Sequence, residues 1–390
     1  MAPSTEALLE RLLAGIEREL PGAVALRRRL HAQPELAHRE QRTAAAVSEE
    51  LPVPAITVAG TGRIAQVGPA DGPVVVVRAE LDGLPIEERT GSPYAATAGI
   101  MHACGHDVHM AALVALTRAA HGLAEQLPWS LAALFQPSEE AQPSGAQELA
   151  GGELAAIAPA AVLAAHIHPE LPWGSLALDA GAVNASFDGF EITVTGEPSH
   201  GAYPHHGRDP ILALAHIVIA LHAQTSRRIN PHSPAVLSVG VLEAGSAENL
   251  IPSQARALGS LRAYRPHDRA ELARLLEEVV AGVAAAHGCH GMVTLLPGEP
   301  VLENDPAIVA RARELLGLAG LEAAPEWRSS GSDDFSFFST LSPIAMGFVG
   351  LGGAEGFSSR PLHHPELLPP DSAVGAVARA QAVLYLAALP

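Results

Sequence analysis

Val74-Val-Val-Val-Arg-Ala-Glu-Leu-Asp82 places four valines in a row before two acidic residues. A short, continuous apolar run that follows Asp71-Gly-Pro73 predicts a strand buried on both of its faces. Strands of that kind occur in parallel sheets covered by helices. The stretch therefore predicts an α/β fold, with Glu80 and Asp82 at the end of one strand.

The segments on either side of this strand continue the α/β pattern. Gly105–Ala124 is rich in Ala and Leu and predicts a helix, and Leu131–Phe135 and Ala161–Ile167 predict two more buried strands. Nearer the N-terminus, leucines at helical spacing predict a helical region that Pro21 interrupts. This strand–helix–strand order predicts a mostly parallel central sheet flanked by helices.

The pattern changes near Asn184, where Phe187–Thr195 alternates polar and apolar residues as a half-exposed strand does. The elements that follow have the order of a ferredoxin-like α+β sandwich. The α/β character returns in the last quarter of the chain. We therefore predict a discontinuous main domain, residues 1–182 and 299–390, with a smaller domain inserted at residues 183–298.

Composition narrows the functional classes. The 390 residues include 24 basic and 42 acidic side chains, so the net charge is 24 − 42 = −18. An acidic surface repels phosphate backbones and anionic membranes, so we expect no nucleic-acid or membrane partner. All basic residues are arginines, and the absence of lysine excludes a Walker A phosphate loop and Schiff-base catalysis. Histidine, the commonest metal ligand, occurs 19 times.

Several features of the sequence indicate the cellular compartment of the protein. The two cysteines are too few for a disulfide framework. The first turns carry Glu6, Glu10 and Arg11 and show no apolar signal core. The longest apolar runs are interrupted by His or Pro and fall short of the roughly 18 residues that a membrane span needs. We therefore expect a soluble, cytoplasmic protein.

The densest group of reactive side chains is Met101-His-Ala-Cys-Gly-His-Asp-Val-His109, at the start of a predicted helix. Cys104 and His106 are two residues apart, so on an extended segment their side chains point the same way. A thiolate and an imidazole together suit Zn²⁺ or a similar divalent ion, and Asp107 can orient one of these ligands. The clustering favours a metal site over the alternative of a buried cysteine with helix-capping polar neighbours.

Two adjacent carboxylates, Glu139 and Glu140, follow the predicted strand Leu131–Phe135. Adjacent carboxylates point in different directions, so one can bind a metal ion while the other takes a proton from water. Taken alone, the pair is more consistent with a solvated acidic turn.

Two pairs of histidines offer further ligands. His166 and His168 share a face at the end of another apolar strand, and ligands bind at the carboxyl ends of strands in such sheets. Either of them can be a ligand. His363 and His364 near the C-terminus pose the same choice, which spacing alone does not decide.

These segments, in this order, resemble the metal-dependent amidohydrolase and peptidase family of aminoacylases, hippurate hydrolases, indole-acetyl-amino-acid hydrolases and carboxypeptidase G. The resemblance is closest to the aminoacylase and hippurate hydrolase branch. It extends from Leu30-His-Ala-Gln-Pro-Glu-Leu36 to Leu362-His-His-Pro365. The motifs that carry it are Met101–Asp107, Phe135–Glu140, Ala247-Glu-Asn-Leu-Ile-Pro252 and Gly331-Ser-Asp-Asp-Phe-Ser336.

The resemblance implies roles for individual residues. The metal ligands that it implies, for two divalent ions (Zn, or Mn, Co or Ni) bridged by the cysteine, are Cys104, His106, Glu140, His166 and His363. The general base would be Glu139, and Asp82 would support a ligand or this base. His200 of the inserted domain would stabilise the oxyanion in a neighbouring subunit's active site. Asn249 and Arg262 match positions that bind the substrate carboxylate or oxyanion.

The function that the resemblance implies is hydrolysis of the amide bond of an N-acyl amino acid or related N-acyl amine. It also implies that the inserted domain is a lid or dimerisation domain and that the protein is a homodimer or higher homo-oligomer. Two alternatives stay open: a dipeptidase or carboxypeptidase of the same chemistry, and a non-catalytic metal-binding protein on the same fold.

Overall fold

The computed structural model of the protein describes residues 3–390 and divides into two compact units. The larger unit contains the chain up to Gly181 together with Glu303–Trp327 and Asp334–Pro390. The smaller unit contains Ala182–Leu302 and Arg328–Asp333. Each unit has its own sheet and its own hydrophobic core.

The segment 328–333 lies in the smaller unit, whereas the sequence-based boundaries put it in the main domain. Main-chain hydrogen bonds hold it there, from Ser329 N to Val183 O at 2.8 Å and from Ala185 N to Ser329 O at 3.1 Å. Such pairing joins stretches far apart in the chain. A local pattern of residues contains no sign of it.

The regular elements of both units are given in chain order. The strands are β1 (Ile56–Val58), β2 (Gly62–Val67), β3 (Val74–Glu80), β4 (Ser130–Gln136), β5 (Ala161–Pro172), β6 (Ser175–Ala177), β7 (Gly181–Asn184), β8 (Asp188–Thr195), β9 (Ser199–His200), β10 (Ala235–Ala244), β11 (Leu250–Ile251), β12 (Gln254–Ala263), β13 (His290–Pro297), β14 (Leu302–Asn304), β15 (Glu322–Ala323) and β16 (Ile344–Gly352). The helices are α1 (Thr5–Ala32), α2 (Gln41–Glu50), α3 (His106–His121), α4 (Gly145–Gly151), α5 (Glu153–Ile157), α6 (Pro210–Arg228), α7 (Pro266–Ala286), α8 (Pro306–Leu315) and α9 (Ser372–Ala387).

The larger unit is built on an eight-stranded sheet with the order β1-β2-β4-β3-β5-β16-β6-β15. Its centre is parallel, because β3 pairs in parallel with β4 and β5, and β5 with β16. Every residue of β3 and β4 is buried, as their continuous apolar runs predict. Helices α1, α3 and α9 pack on one another, and α3 and α9 contact the central strands. The predicted mostly parallel sheet flanked by helices is confirmed.

Helix α1 runs without a break through Pro21, so the prediction that this proline interrupts the helix is wrong. Proline removes one main-chain hydrogen bond from a helix interior. The apolar residues on both sides of it, among them Leu12, Ile16, Leu26 and Leu30, are buried in the same core. Tertiary packing of both halves outweighs the lost hydrogen bond.

The smaller unit has a four-stranded sheet with the order β10-β12-β8-β13, in which every neighbouring pair is antiparallel. Its chain order is β8-α6-β10-β12-α7-β13, so the topology is that of a ferredoxin-like sandwich. Residues of β8 alternate between buried and half-buried, which is typical of a sheet covered by helices on one face.

None of the helices within residues 3–390 combines the length and the apolar character that a membrane crossing requires.

Candidate metal centre

Three neighbouring parallel strands bring acidic and imidazole groups to one edge of the larger sheet. Glu80 ends β3 and is followed closely by Asp82, Glu139 and Glu140 follow β4, and His166 lies in β5. Because β3 lies between β4 and β5, their carboxyl ends meet. This is the edge at which sheets of this class bind ligands.

Cys104 reaches the same edge from the loop that precedes α3, and His106 reaches it as the first residue of that helix. The donor atoms of Cys104, His106 and His166 lie within 4.8 Å of one another, and so do those of Cys104, Glu140 and His363. The Cys104 Sγ atom is 3.5 Å from His166 Nε2. Two groups of candidate ligands therefore share one sulfur, and thiolate, imidazole and carboxylate donors at this spacing can hold divalent ions.

Gly105 makes the approach of the two ligand-bearing segments possible. Its φ of 84° lies in the left-handed region, and a Cβ atom added there would lie 2.3 Å from Ile167 Cδ1. Only glycine satisfies both conditions. Helix α3 begins directly after it, so His106 is held at the start of a rigid element.

Asp82 connects the imidazole ligand to the turn that carries the two glutamates. Its main-chain oxygen accepts a hydrogen bond from His106 Nδ1 at 2.9 Å, and its Oδ2 accepts one from Glu140 N at 2.9 Å. Burial acts to raise the pKa of Asp82, but His106 and the main-chain N–H groups of Glu139 and Glu140 lower it by more. The carboxyl group is therefore ionised at neutral pH, and the bond to the Asp82 main-chain oxygen orients His106 with Nε2 toward the other donors.

The surroundings of His106 favour positive charge. Burial acts to lower its pKa, but Asp82, Glu80 and Glu140 together raise it to about 10. His106 Nε2 lies 3.9 Å from a carboxylate oxygen of Glu139 and 3.9 Å from one of Glu140. This buried nitrogen has no hydrogen-bond partner among residues 3–390. An unpartnered buried donor atom between carboxylates and a thiol fits a divalent metal ion.

His166 has the protonation state that a metal ligand requires. Burial, followed by the neighbouring His109, holds the pKa of His166 well below its usual range, so the ring is neutral. Its Nδ1 donates to Ile167 O at 2.7 Å, which leaves the lone pair on Nε2. His109 is itself fixed, because its Nδ1 bonds Glu80 Oε2 at 2.8 Å and its Nε2 accepts from Ile167 N at 3.0 Å.

The geometry separates the histidine pairs that the sequence leaves open. His166 and His363 belong to the two groups of candidate ligands. The ring of His168 packs against Trp327, with centroids 4.5 Å apart. The Nδ1 atom of His364 accepts a main-chain N–H two residues further along the chain.

Of the predicted catalytic residues, His200 lies in the smaller unit. Its Nδ1 accepts a hydrogen bond from Ala202 N at 3.1 Å, so in the neutral ring the proton sits on Nε2. Asn249 is its neighbour, since Gly201 N donates to Asn249 O at 2.8 Å. The smaller unit therefore places the exposed His200 and Asn249 on two segments that are joined by main-chain hydrogen bonds.

Arg262, the third predicted residue of the smaller unit, lies on β12. Its guanidinium stands over the Phe187 ring at 4.9 Å and donates to Ser330 O at 3.0 Å. These contacts orient the guanidinium, which has five N–H donors and can bind a carboxylate through the others.

A buried ionic network beside the candidate ligands was not anticipated from the sequence. Arg78 donates to Gln136 Oε1 at 2.8 Å and to Asp334 Oδ1 at 2.9 Å, and it also contacts Glu80. Ser144 Oγ donates to Asp334 Oδ2 at 2.7 Å. The network ties β3 and β4 to the loop after the glutamates. Its one signal in the sequence is an arginine within a strand whose other residues predict complete burial.

Comparison with known proteins places this architecture among characterised relatives. The family profile described as Peptidase family M20/M25/M40 matches residues 76–385. N-acetyl-L-cysteine deacetylase of Bacillus subtilis (strain 168) is 33% identical over 368 residues, which are 93% of this chain and 86% of the relative. IAA-amino acid hydrolase ILR1-like 2 of Arabidopsis thaliana is 33% identical over 383 residues, which are 93% of this chain and 85% of the relative.

A solved structure from Bacillus subtilis has the same fold over nearly the whole chain. It is the YXEP protein, described as a dinuclear metal binding peptidase from the M20 family. The TM-score is 0.84 with 28% sequence identity, and the match covers 95% of this chain and 98% of that chain.

Proposed function

This chain belongs to peptidase family M20/M25/M40, and from that premise we propose that it is a di-metal amidohydrolase that cleaves N-acyl amino acids. The broad class, a metal-dependent amide hydrolase, follows from the family and from relatives that are named hydrolase and deacetylase. The family that the motifs resemble is thereby confirmed. The N-acyl amino acid as substrate rests on the names of two relatives, an N-acetyl-L-cysteine deacetylase and an IAA-amino acid hydrolase.

The observation that carries the proposal is the pair of candidate ligand groups that share Cys104. Cys104, His106 and His166 would hold one divalent ion, and Cys104, Glu140 and His363 a second. A shared thiolate suits Zn²⁺ best among the candidate metals, with Mn²⁺, Co²⁺ and Ni²⁺ as alternatives. Divalent ions held by these residues would polarise the scissile carbonyl and lower the pKa of a bound water.

Glu139 is the general base of the proposed reaction. It takes a proton from the attacking water and passes it to the nitrogen of the leaving amine. Its position is compatible with this role, because a Glu139 oxygen lies 3.9 Å from His106 Nε2 and so borders the candidate metal centre. Asp82 holds His106 and the main chain of Glu140 in place while the proton moves.

His200 donates a hydrogen bond to the tetrahedral oxyanion in the active site of a neighbouring subunit. The Nε2–H tautomer that its contact with Ala202 N selects is the one that this role requires. Asn249 and Arg262 bind the carboxylate of the amino acid. Loss of one oxyanion donor typically costs about 100–1000-fold in rate.

The proposal is tested by elemental analysis together with turnover of a panel of N-acetyl amino acids, N-benzoyl amino acids and dipeptides. We expect about two divalent ions per chain, activity on N-acyl amino acids, and loss of activity on chelation with recovery when metal is added back. Hydrolysis of dipeptides alone would assign a dipeptidase. Metal without turnover of any amide would point to a binding protein, and failure to bind metal would overturn the ligand assignments.

A further inference from the structure

Two non-glycine residues with left-handed main chains meet next to the proposed base. His38 has a φ of 63° and Ser138 a φ of 50°. His38 Nε2 and Ser138 Oγ are 2.9 Å apart. Left-handed main chain is unfavourable for residues with a side chain, and it persists where the surroundings fix it, commonly at functional sites. Ser138 directly precedes Glu139.

The carbonyl groups around Ser138 determine which of the two side chains donates the hydrogen in this contact. Besides the imidazole, Ser138 Oγ lies 3.1 Å from Ala141 O and 3.1 Å from Pro143 O. Both are carbonyl oxygens and can only accept, so the single hydroxyl proton of Ser138 is directed at them. The serine oxygen is then an acceptor toward the imidazole, and His38 donates its Nε2–H. The opposite direction would leave two carbonyl oxygens against a hydroxyl oxygen without a proton between them.

The main chain of Ser138 is also held by hydrogen bonds, and its side chain is buried. Its main-chain N–H donates to Glu40 Oε1 at 2.9 Å, and its carbonyl accepts from Gly145 N at 3.0 Å. A Cβ atom on Gly145 would lie 1.8 Å from Pro137 O, so this close approach requires glycine. Every polar atom of Ser138 is therefore bonded, and its hydroxyl receives a hydrogen bond from a second segment of chain through His38.

His38 also borders the candidate site directly. It lines an open pocket of about 430 Å³ together with Leu36, Gly83 and Glu140. His38 therefore faces the pocket and also bonds Ser138, the residue that precedes the proposed base. Local sequence gives no sign of this role, because the contact joins His38 and Ser138, which are a hundred positions apart in the chain.

We propose that His38 is a positioning residue for the general base Glu139, acting through its hydrogen bond to Ser138. The inference rests on the proposed function, since it presumes that Glu139 is the base. Together with the main-chain bonds of Ser138, this bond maintains its left-handed conformation, which sets the direction in which the chain continues to Glu139. Without the bond, the Ser138 side chain loses its contact with the segment of His38, and the Glu139 carboxylate shifts relative to the attacking water.

The test uses variants that distinguish the loss of the His38 N–H donor from the loss of its ring. His38→Gln keeps an N–H donor at a similar reach, His38→Phe keeps a ring without a donor, and Ser138→Ala removes the partner. We expect kcat to fall about 10-fold or more in His38→Phe and Ser138→Ala, with KM changed less than about twofold and metal content unchanged, because misplacing a catalytic group by about 1 Å can cost 100-fold. His38→Gln should recover most of the loss. The double variant should be no slower than either single variant, since both remove one bond.

A second measurement does not depend on turnover. In the metal-free protein, amide hydrogen exchange of residues 137–145 should be faster in His38→Phe and Ser138→Ala than in wild type, and unchanged in His38→Gln. His121→Ala, at an exposed histidine that ends α3, is the matched control for both measurements.

The outcomes distinguish this inference from the function on which it rests. An active wild type whose His38→Phe variant keeps its kcat, or loses activity only through a higher KM or lost metal, would overturn the positioning role and leave the amidohydrolase assignment standing. Additive losses in the double variant would overturn it as well. A wild type that cleaves no amide would remove the proposed function, and the positioning role would fall with it even if hydrogen exchange shows that the bond orders the turn.

Discussion

Glu139 and Glu140 are neighbouring carboxylates for which we propose different roles. The main chain of Glu140 is bonded to Asp82, and its Oε1 lies 3.2 Å from His363 Nε2. Glu140 is therefore held among the candidate ligands from two sides. Glu139 belongs to neither of the two groups that share Cys104. Glu139 does form a third group of possible ligand atoms with His106 and Glu140, so substitution of each carboxylate is needed to separate the proposed base from the proposed ligand.

We expect the two isosteric amide substitutions to have different effects. Glu139→Gln should keep the metal and lower kcat by about 100–10,000-fold, because a general base contributes that much. Glu140→Gln should weaken metal binding by at least about 100-fold, more than the loss of an outer partner of a ligand. Metal content and kcat measured on the same preparations distinguish the two. Near-full activity of Glu139→Gln with bound metal would contradict the proposed mechanism.

Residue type and position at strand ends indicate where candidate ligands lie in the sequence, and the resemblance to the family selects among neighbouring residues. Cys104, His106 and Glu140 stand next to strong strand and helix patterns, and the family motifs add their order. His38 and Asp334 could not be predicted as parts of the site. Each acts through a single long-range contact, to Ser138 or to Arg78, and local spacing contains no information about such contacts.

Helices α1 and α3 are joined by a buried ionic cluster. Arg27 on α1 bonds Asp107 on α3 at 2.6 Å. His31, one turn further along α1, bonds Asp107 through Nδ1 at 2.9 Å and Glu88 through Nε2 at 3.1 Å. Both ring nitrogens face carboxylates, so both carry protons and the ring is charged. The cluster anchors the start of the helix that supplies His106.

The protonation of His31 makes stability depend on pH. Burial acts to lower its pKa, but Asp107 and Glu88 raise it to about 9, above the value of 6.5 in an unfolded chain. A folded-state pKa above the unfolded one stabilises the fold fully below pH 6.5, and this contribution is lost as pH rises through about 9. This pKa difference corresponds to about 3 kcal/mol of unfolding free energy.

We expect the free energy of unfolding of the metal-loaded protein to fall between pH 6.5 and about 9.5, and this fall to be smaller in His31→Gln. Chemical denaturation at a series of pH values measures it, and His121→Gln is the control at an exposed histidine. Identical pH dependence in wild type and His31→Gln would show that His31 is not charged in the folded protein.

The glycine before α3 is expected to be irreplaceable. Gly105→Ala places a Cβ in the left-handed region and against Ile167, so we expect a loss of about 1–3 kcal/mol in unfolding free energy together with weaker metal binding. Gly22→Ala in the middle of α1 is the matched control, because its Cβ meets only ordinary contacts and alanine favours a helix. Urea denaturation and metal titration of both variants measure the difference. Equal behaviour of the two would show that the loop adapts.

The elements themselves were predictable where pattern and packing agree. Strands β3, β4, β5 and β16 are continuous apolar runs, and the structure has all four. The exception in α1 arises because the burial of two apolar stretches outweighs the local effect of Pro21. The segment 328–333 is a second exception, since only its pairing with distant main chain assigns it to the smaller unit.

At the scale of the whole molecule, the smaller unit has a surface that suits association with a second copy. Strand β10 is an edge of its sheet and contacts α6. Ile219 on α6 and Leu242 on β10 are 65% and 53% exposed. Open sheet edges with apolar neighbours tend to pair. We expect two chains to associate through this edge and helix.

The association is tested by charge substitution. Ile219→Asp with Leu242→Asp should convert dimers to monomers in light scattering, because two buried charges oppose the interface. Met292→Asp, on the opposite edge strand β13, is the matched control and should leave the dimer intact. A monomeric double variant with full activity would remove the role of His200 in a neighbouring active site.

Mixing two inactive variants tests that role directly. A chain with His200→Ala keeps Glu139, and a chain with Glu139→Gln keeps His200. If His200 acts in the partner's site, a mixed dimer has one site with both groups, so random pairing should restore about a quarter of wild-type activity. If His200 acts within its own chain, no site in the mixture has both groups and activity stays at the level of the separate variants. Subunit exchange followed by a rate measurement therefore determines whether the catalytic unit of this protein is one chain or two.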